Sequence, residues 1–193
     1  MEERPEPFEE RKQEKKGRFQ SSFYDWGEAL ILSLIFIVLL FTFVVRLIGV
    51  DGSSMFPTLH DRDVMVVSDL GYTPKRGDIV VLNKESFMNG PIVKRVIATA
   101  GDEIDIDFAL GRVYVNGEEL DEPYTNEFTL PMNQEDMTFP QTVPEGCLFV
   151  MGDNRNGSTD SRNSSLGMVD ERYVIGHVLA VVWPPENFGG KTS

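Results

Sequence analysis

From Ala29 to Val45 the chain reads Ala-Leu-Ile-Leu-Ser-Leu-Ile-Phe-Ile-Val-Leu-Leu-Phe-Thr-Phe-Val-Val, without one charged residue. A run that is apolar on every side cannot lie on a protein surface, where a helix keeps a polar face. It can be a membrane span, the core of a cleaved leader, or a helix buried all round. With Leu47, Ile48 and Val50 just past Arg46, it reaches the roughly 20 residues that cross a bilayer. A leader has a shorter apolar core of about 7–15 residues, and usually a shorter charged head. The expectation is therefore a transmembrane helix over 28–48, behind a polar tail over 1–27 too poor in apolar residues to order itself. Tyr24 and Trp26 sit where an interfacial aromatic belt belongs.

Orientation follows from the cations at the two ends. Arg11, Lys12, Lys15, Lys16 and Arg18 precede the run, whereas Arg46 and then Arg62 follow it. The excess on the first side puts the N-terminus in the cytoplasm and residues 49–193 outside the cell membrane, with lipid as a partner. That segment is long enough for one domain with its own core. The net charge of the whole chain is −13, which makes nucleic acid a poor partner. A single cysteine, Cys147, excludes an internal disulfide, and with only two histidines a His/Cys metal site is not expected. No cofactor is expected either.

After residue 50 the pattern is one of strands. Apolar or β-branched runs occur at 64–67, 79–82, 92–97, 147–151 and 174–183, and Asp102–Ile106 alternates polar with apolar. Arg76-Gly77-Asp78 is a turn, and Val113-Tyr114-Val115 runs into Asn116-Gly117, a strong hairpin signal. Residues 118–142 are acidic and punctuated by Pro123, Pro131 and Pro140, an excursion from the sheet. No long helical period follows. The fold class expected is an all-β domain behind a single transmembrane helix.

Ser54, in Gly52-Ser53-Ser54-Met55-Phe56-Pro57-Thr58-Leu59, stands just past the apolar run. Serine becomes a nucleophile only when a base takes its proton. His60 and His177 are the histidine candidates. A lone histidine in an apolar strand such as Val174–Val178 more often serves structure. Lys94 is the other candidate. On a strand it shares a face with Ile92 and Val96, and such surroundings favour the neutral amine. The competing reading is a lysine snorkelling from an edge strand. A third stretch, Gly152 to Arg162, is dense in hydrogen-bonding groups and is mounted on the apolar run before it, a common setting for a site.

Ser54–Leu59, Arg76–Val80, Val93–Ile97 and Gly152–Arg155 through Asp160-Ser161-Arg162 together resemble the four boxes of bacterial type I signal peptidases, in that family's order. The likeness covers about residues 28–185, including the membrane segment. It implies a membrane-bound serine endopeptidase that removes signal peptides from secreted precursors. Ser54 would be the nucleophile and Lys94 the general base. Ser158 would orient the lysine amine, Asp160 and Arg162 would form an ion pair shaping the site, and Arg95 follows the lysine as in the family. Ile48, Val50, Met55, Leu59, Ile92 and Val93 fall at positions lining pockets for small substrate residues at −1 and −3. The family's fold would place a small inserted β region at about 103–145. Gly52 stands where many Gram-negative members have a serine that binds the oxyanion. This resembles the short Gram-positive form with one anchor, and leaves the backbone N–H of Ser54 as the donor.

Geometry bears on the substrate as well. From Val45 to Ser54 is nine residues, at most about 30 Å when extended. The nucleophile stays near the membrane, where a substrate with its own apolar segment would present its cleavage point. Two other classes remain in view. A non-catalytic, membrane-anchored acidic β domain would leave Ser54, Lys94 and Ser158 unexplained. A self-cleaving repressor-type Ser-Lys hydrolase fits neither the apolar run nor the acidity.

Overall fold

The computed structural model describes residues 26–42, 44–131 and 136–189. The chain divides at Val44 and Val45 into two units. In the first, residues 26–42 form one helix, α1. Leu30, Ile31, Leu34, Phe36 and Val38, on every side of it, are each more than half exposed. Among the described residues no helix is long and apolar enough to cross a membrane. The helix expected over 28–48 does not extend that far. Val44 and Val45 are turn and coil, and Arg46–Gly49 is strand β1. The reason is a pairing across the sheet: Leu47 and Ile48 take cross-strand partners, Val66 and Met65. The tail cations and Tyr24 lie outside the described residues, as do positions 132–135 of the excursion.

The second unit holds β2 (Val64–Ser68), β3 (Ile79–Leu82), β4 (Ile92–Thr99), β5 (Glu103–Asp107), β6 (Arg112–Val115), β7 (Glu118–Glu119), β8 (Gln141–Thr142), β9 (Cys147–Met151), β10 (Val169–Asp170) and β11 (Val174–Trp183). Seven strands form one sheet in the order β1-β2-β11-β3-β4-β9-β10, and residues 103–142 supply a second, β7-β6-β5-β8. All the ladders are antiparallel. The Asn116-Gly117 turn closes the β6–β7 hairpin with both residues at positive φ, 56° and 78°, which is what a two-residue primed turn requires. β11 is long enough to pair with β3 through its first half and β2 through its second.

Three apolar clusters fill the domain. Val50, Met55, Leu59, Met65, Val67, Ile79 and Val81 make one of them, beneath the Ser54 turn. Phe149 and Met151 of β9 join the inserted sheet in the second, and Val80, Leu82, Val96 and Leu148 lie in the third. Among the open edges of the sheets, two matter here. β1 ends the large sheet, and β9 meets β4 only from Arg95 onward, so Ile92–Lys94 has a ladder on one side alone. The large sheet also shows an apolar strip to the outside. Leu47 is exposed opposite Val66, and Trp183 is exposed opposite Val64. Leu179 is exposed at the β11 bulge.

Candidate active site

The Ser54 turn is built by its own sequence. Phe56 N–H donates to Ser53 O and Leu59 N–H to Met55 O, giving one helical turn over 53–59. Its apolar side, Met55 and Leu59, is fully buried, and burial of that pair anchors the turn. Ser54 is left half-buried at the edge. A second anchor comes from the loop after β9. Asn154 N–H donates to Ser54 O at 3.0 Å, and Asn154 Nδ2 donates to Ser53 O at 3.1 Å.

Lys94 comes from β4 and is 4% exposed. Its Nζ lies 2.9 Å from Ser54 Oγ. Burial holds its pKa down at about 8, against an ordinary 10.5; Asp160 pulls it back up, Arg162 lowers it, and Asp153 raises it. The amine is therefore largely neutral in mildly alkaline solution, and a neutral amine beside a hydroxyl can accept its proton. His60 is placed for neither role, with Nδ1 3.9 Å from Asp63 Oδ2. His177 Nδ1 sits 2.9 Å from Ser68 O, and its ring is stacked on Tyr72.

Asp160 and Arg162 pair as the resemblance implies. Arg162 Nε donates to Asp160 Oδ1 and Nη2 to Oδ2, at 2.8 and 2.9 Å, with both side chains buried. Asp160 Oδ2 also accepts from Gly152 N–H, and Arg162 Nη2 donates to Arg155 O. The pair thus fixes the whole loop over 152–162. Ser158 departs from expectation. It is buried, yet among the described residues its Oγ has no hydrogen-bond partner; the Lys94 amine is directed to Ser54. Ser158 nevertheless lies at the centre: a Cβ on Gly152 would collide with Ser158 Oγ and with Ser54 O together.

Arg95, next to Lys94, donates Nε and Nη2 to the two oxygens of Asp153 at 2.8 and 2.7 Å. Asp153 also accepts from Thr58 Oγ1, four residues after Ser54 on the same turn. Asp153 was not among the expected site residues, although Gly152-Asp153-Asn154-Arg155 marked its neighbourhood.

A cavity of about 460 Å³ opens beside the pair, and Ile48, Val50, Met55, Ile92 and Val93 line it with Ser54 and Lys94. Leu59 is the exception among the expected pocket residues. It is fully buried in the cluster under the turn. Phe87 to Pro91, the connection from β3 to β4, forms a wall that the sequence pattern did not suggest. Gly52 is at φ +93° with nothing within 4 Å of a built Cβ, so backbone conformation, not space, favours glycine there. The N–H of Gly52 donates to Asp61 Oδ1.

Residues 23–183 match the family model described as Signal peptidase, peptidase S26. Signal peptidase I of Bacillus amyloliquefaciens is 37% identical over 177 residues, covering 86% of this chain and 90% of that one. Signal peptidase I S of Bacillus subtilis is 35% identical, over 86% of this chain and 91% of its own. Signal peptidase IB of Staphylococcus aureus is 32% identical, over 85% and 91%. A crystal structure of a signal peptidase I from Enterococcus faecalis aligns with a TM-score of 0.45 at 31% identity, covering 55% of this chain and 97% of that one. The chain belongs to the signal peptidase family, peptidase S26.

Proposed function

We propose that this protein is a membrane-bound signal peptidase I that cuts N-terminal signal peptides from secreted precursors after small residues at −1 and −3, using Ser54 and Lys94. The observation that carries the reading is the 2.9 Å approach of a buried lysine, its pKa lowered to about 8, to the hydroxyl of a half-buried serine.

In this mechanism Ser54 Oγ attacks the scissile carbonyl while its proton passes to Lys94 Nζ. The resulting oxyanion is held by backbone N–H groups, that of Ser54 foremost. The intermediate collapses when the lysine ammonium gives its proton to the leaving amine. Lys94, neutral again, then draws a proton from water to hydrolyse the acyl-enzyme. Ser158, buried against Gly152 beside Ser54, is the group to which the lysine turns when the serine oxygen is acylated. Asp160, Arg162 and Arg95 hold the loops around it. The free edges of β1 and of Ile92–Lys94 both border the cavity, which suits a substrate added as an extended strand. Alternate side chains of that strand would enter pockets bounded by Ile48, Val50, Met55, Ile92 and Val93. The proposed mechanism calls for no metal or cofactor.

The membrane setting rests on the uncharged run over 29–45 and on the all-round apolar exposure of α1. The outer strip bearing Leu47, Leu179 and Trp183 suits a domain resting at the interface, with the N-terminus cytoplasmic and residues 49–193 outside.

The test is cleavage of a purified secretory precursor by the full chain in lipid, with the new N-terminus determined by mass spectrometry. A single cut after Ala at −1 is expected. Replacing that Ala, or the one at −3, by Leu should lower kcat/KM by at least about a hundredfold, because the added atoms must strain a packed wall. Equal cutting of the Leu precursors refutes the pocket assignment.

The base assignment predicts a pH profile. Protonated Lys94 cannot accept the serine proton, so kcat/KM should fall about tenfold per unit as pH drops below the lysine's pKa. The midpoint of that acid limb should lie near 8. A profile flat from about pH 6 to 9 would exclude a lysine so tuned.

A further inference from the structure

Two arginines beside the Ser54–Lys94 pair, one on β4 and one on the loop after β9, are buried and are finished by residues from elsewhere. Arg95 and Arg155 are each 1% exposed. Arg95 is held by Asp153 and by Gly77 O. Over its remaining face lies the ring of Tyr124, 4.0 Å from the guanidinium carbon. Arg155 donates Nε to Gly152 O and Nη1 to Thr129 Oγ1, and its carboxylate partner is Glu122, which accepts from both Nη1 and Nη2. Its guanidinium carbon is 5.9 Å from the same Tyr124 ring. Glu122, Tyr124 and Thr129 all belong to the segment between β7 and β8 of the inserted region.

We infer that Tyr124 and Glu122 are positioning residues for the Ser54–Lys94 pair, a clamp by which the inserted region fixes the catalytic centre. The inference rests on the dyad reading above.

Each arginine ties together two parts of the site. Arg95 belongs to the strand of Lys94, and through Asp153 it reaches Thr58 on the Ser54 turn. Arg155 follows Asn154, whose N–H and amide grip Ser54 O and Ser53 O. Base and nucleophile thus depend on two buried cations. A buried cation keeps its geometry only while its counter-charge is present and water is excluded. Glu122 supplies the counter-charge for Arg155. Tyr124 supplies a face that excludes water from Arg95 and attracts the cation through its ring quadrupole.

The clamp also bears on Lys94. The charged groups acting on Lys94 are Asp160, Arg162 and Asp153, and Asp153 is neutralised by Arg95. If water reaches Arg95, Asp153 is less compensated and Lys94 is more hydrated. Both changes favour its protonated form. A loosened clamp should therefore slow the chemistry and move the acid limb upward, with little change in substrate binding.

Tyr124→Leu keeps bulk but removes the ring. It should lower kcat by about tenfold or more, as small misplacements of reacting groups do, with KM within about twofold. The acid limb should rise by about half a pH unit or more. Tyr124→Phe, which keeps the ring face, should restore both. Glu122→Gln should act in the same direction as Tyr124→Leu. Thermal melts fix the temperature at which each variant is fully folded, and the kinetics are run below it. Tyr124→Leu with wild-type kcat and midpoint overturns the clamp, as does a loss that Tyr124→Phe fails to restore, or a loss with the midpoint unmoved. The wild-type limb and Ser54→Ala are run alongside. If those two behave as the dyad demands while Tyr124→Leu does not shift the limb, the clamp alone fails. If those two do not, the dyad reading fails with it.

Discussion

Ser54→Ala and Lys94→Ala should each reduce precursor cleavage by at least about a thousandfold, the scale seen when a nucleophile or its base is deleted. Ser54→Ala removes the attacking oxygen. Lys94→Ala leaves that oxygen with no base, since Lys94 Nζ is the group hydrogen-bonded to it, at 2.9 Å. Because the two act as one unit, the double variant should be no worse than either single one. Neither change should unfold the chain. Ser54 is half-buried at the rim, and burial already disfavours the charge on Lys94, so its loss removes a desolvation cost along with the packing of its stem. His60→Ala should remain active, as its ring faces Asp63 rather than Ser54. Cleavage of a purified precursor, with circular dichroism as the check on folding, decides the matter. An active Lys94→Ala enzyme with ordinary kcat would end the dyad assignment.

The strands were legible wherever burial on both faces writes an uninterrupted apolar run. β3, Ile-Val-Val-Leu, is buried at all four positions, and β9 forms over the run read at 147–151. β1 was hidden for the same reason. Leu47 and Ile48 continue an apolar run, and no local signal distinguishes the end of a helix from a strand whose partners lie 17 to 19 residues on, at Met65 and Val66. At the site, Ser54, Lys94, Arg95, Asp160 and Arg162 could be named because they sit in short motifs. Asp153 is inside one of those motifs, but its role depends on Arg95, 58 positions away, and on Thr58. Glu122 and Tyr124 carried no signal at all. In sequence they are part of an acidic, proline-broken stretch, and only the fold of the inserted region brings them to Arg155 and Arg95. Leu59, expected from motif position to line the pocket, is buried in the cluster under the turn and does not line the cavity.

Gly152→Ala should be strongly damaging, although it removes no functional group. Gly152 is absent from the positions with positive φ, so alanine can adopt its backbone conformation. The obstacle is space. An added Cβ would overlap Ser54 O and the Ser158 side chain. Ser158 can rotate about χ1, whereas Ser54 O is a main-chain atom fixed by Asn154 N–H at 3.0 Å. Relief therefore requires the Ser54 turn and the loop over 152–162 to move apart. Met55 and Leu59, fully buried under that turn, resist the first movement, and the Asp160–Arg162 pair with its bond to Gly152 N–H resists the second. Overpacking of this kind costs about 1–3 kcal/mol. A displacement of about 1 Å between reacting groups can cost about a hundredfold in rate. The expected result is a kcat lower by about a hundredfold or more, with the pH midpoint of Lys94 changed little in comparison. Adding Ser158→Gly should recover only part of the loss, because the clash with Ser54 O remains. Single-turnover cleavage at a temperature where the variant is folded measures the effect directly, and a Gly152→Ala enzyme retaining more than half of its activity would show that the close approach of Gly152 to the Ser54 turn is not what sets the geometry of attack.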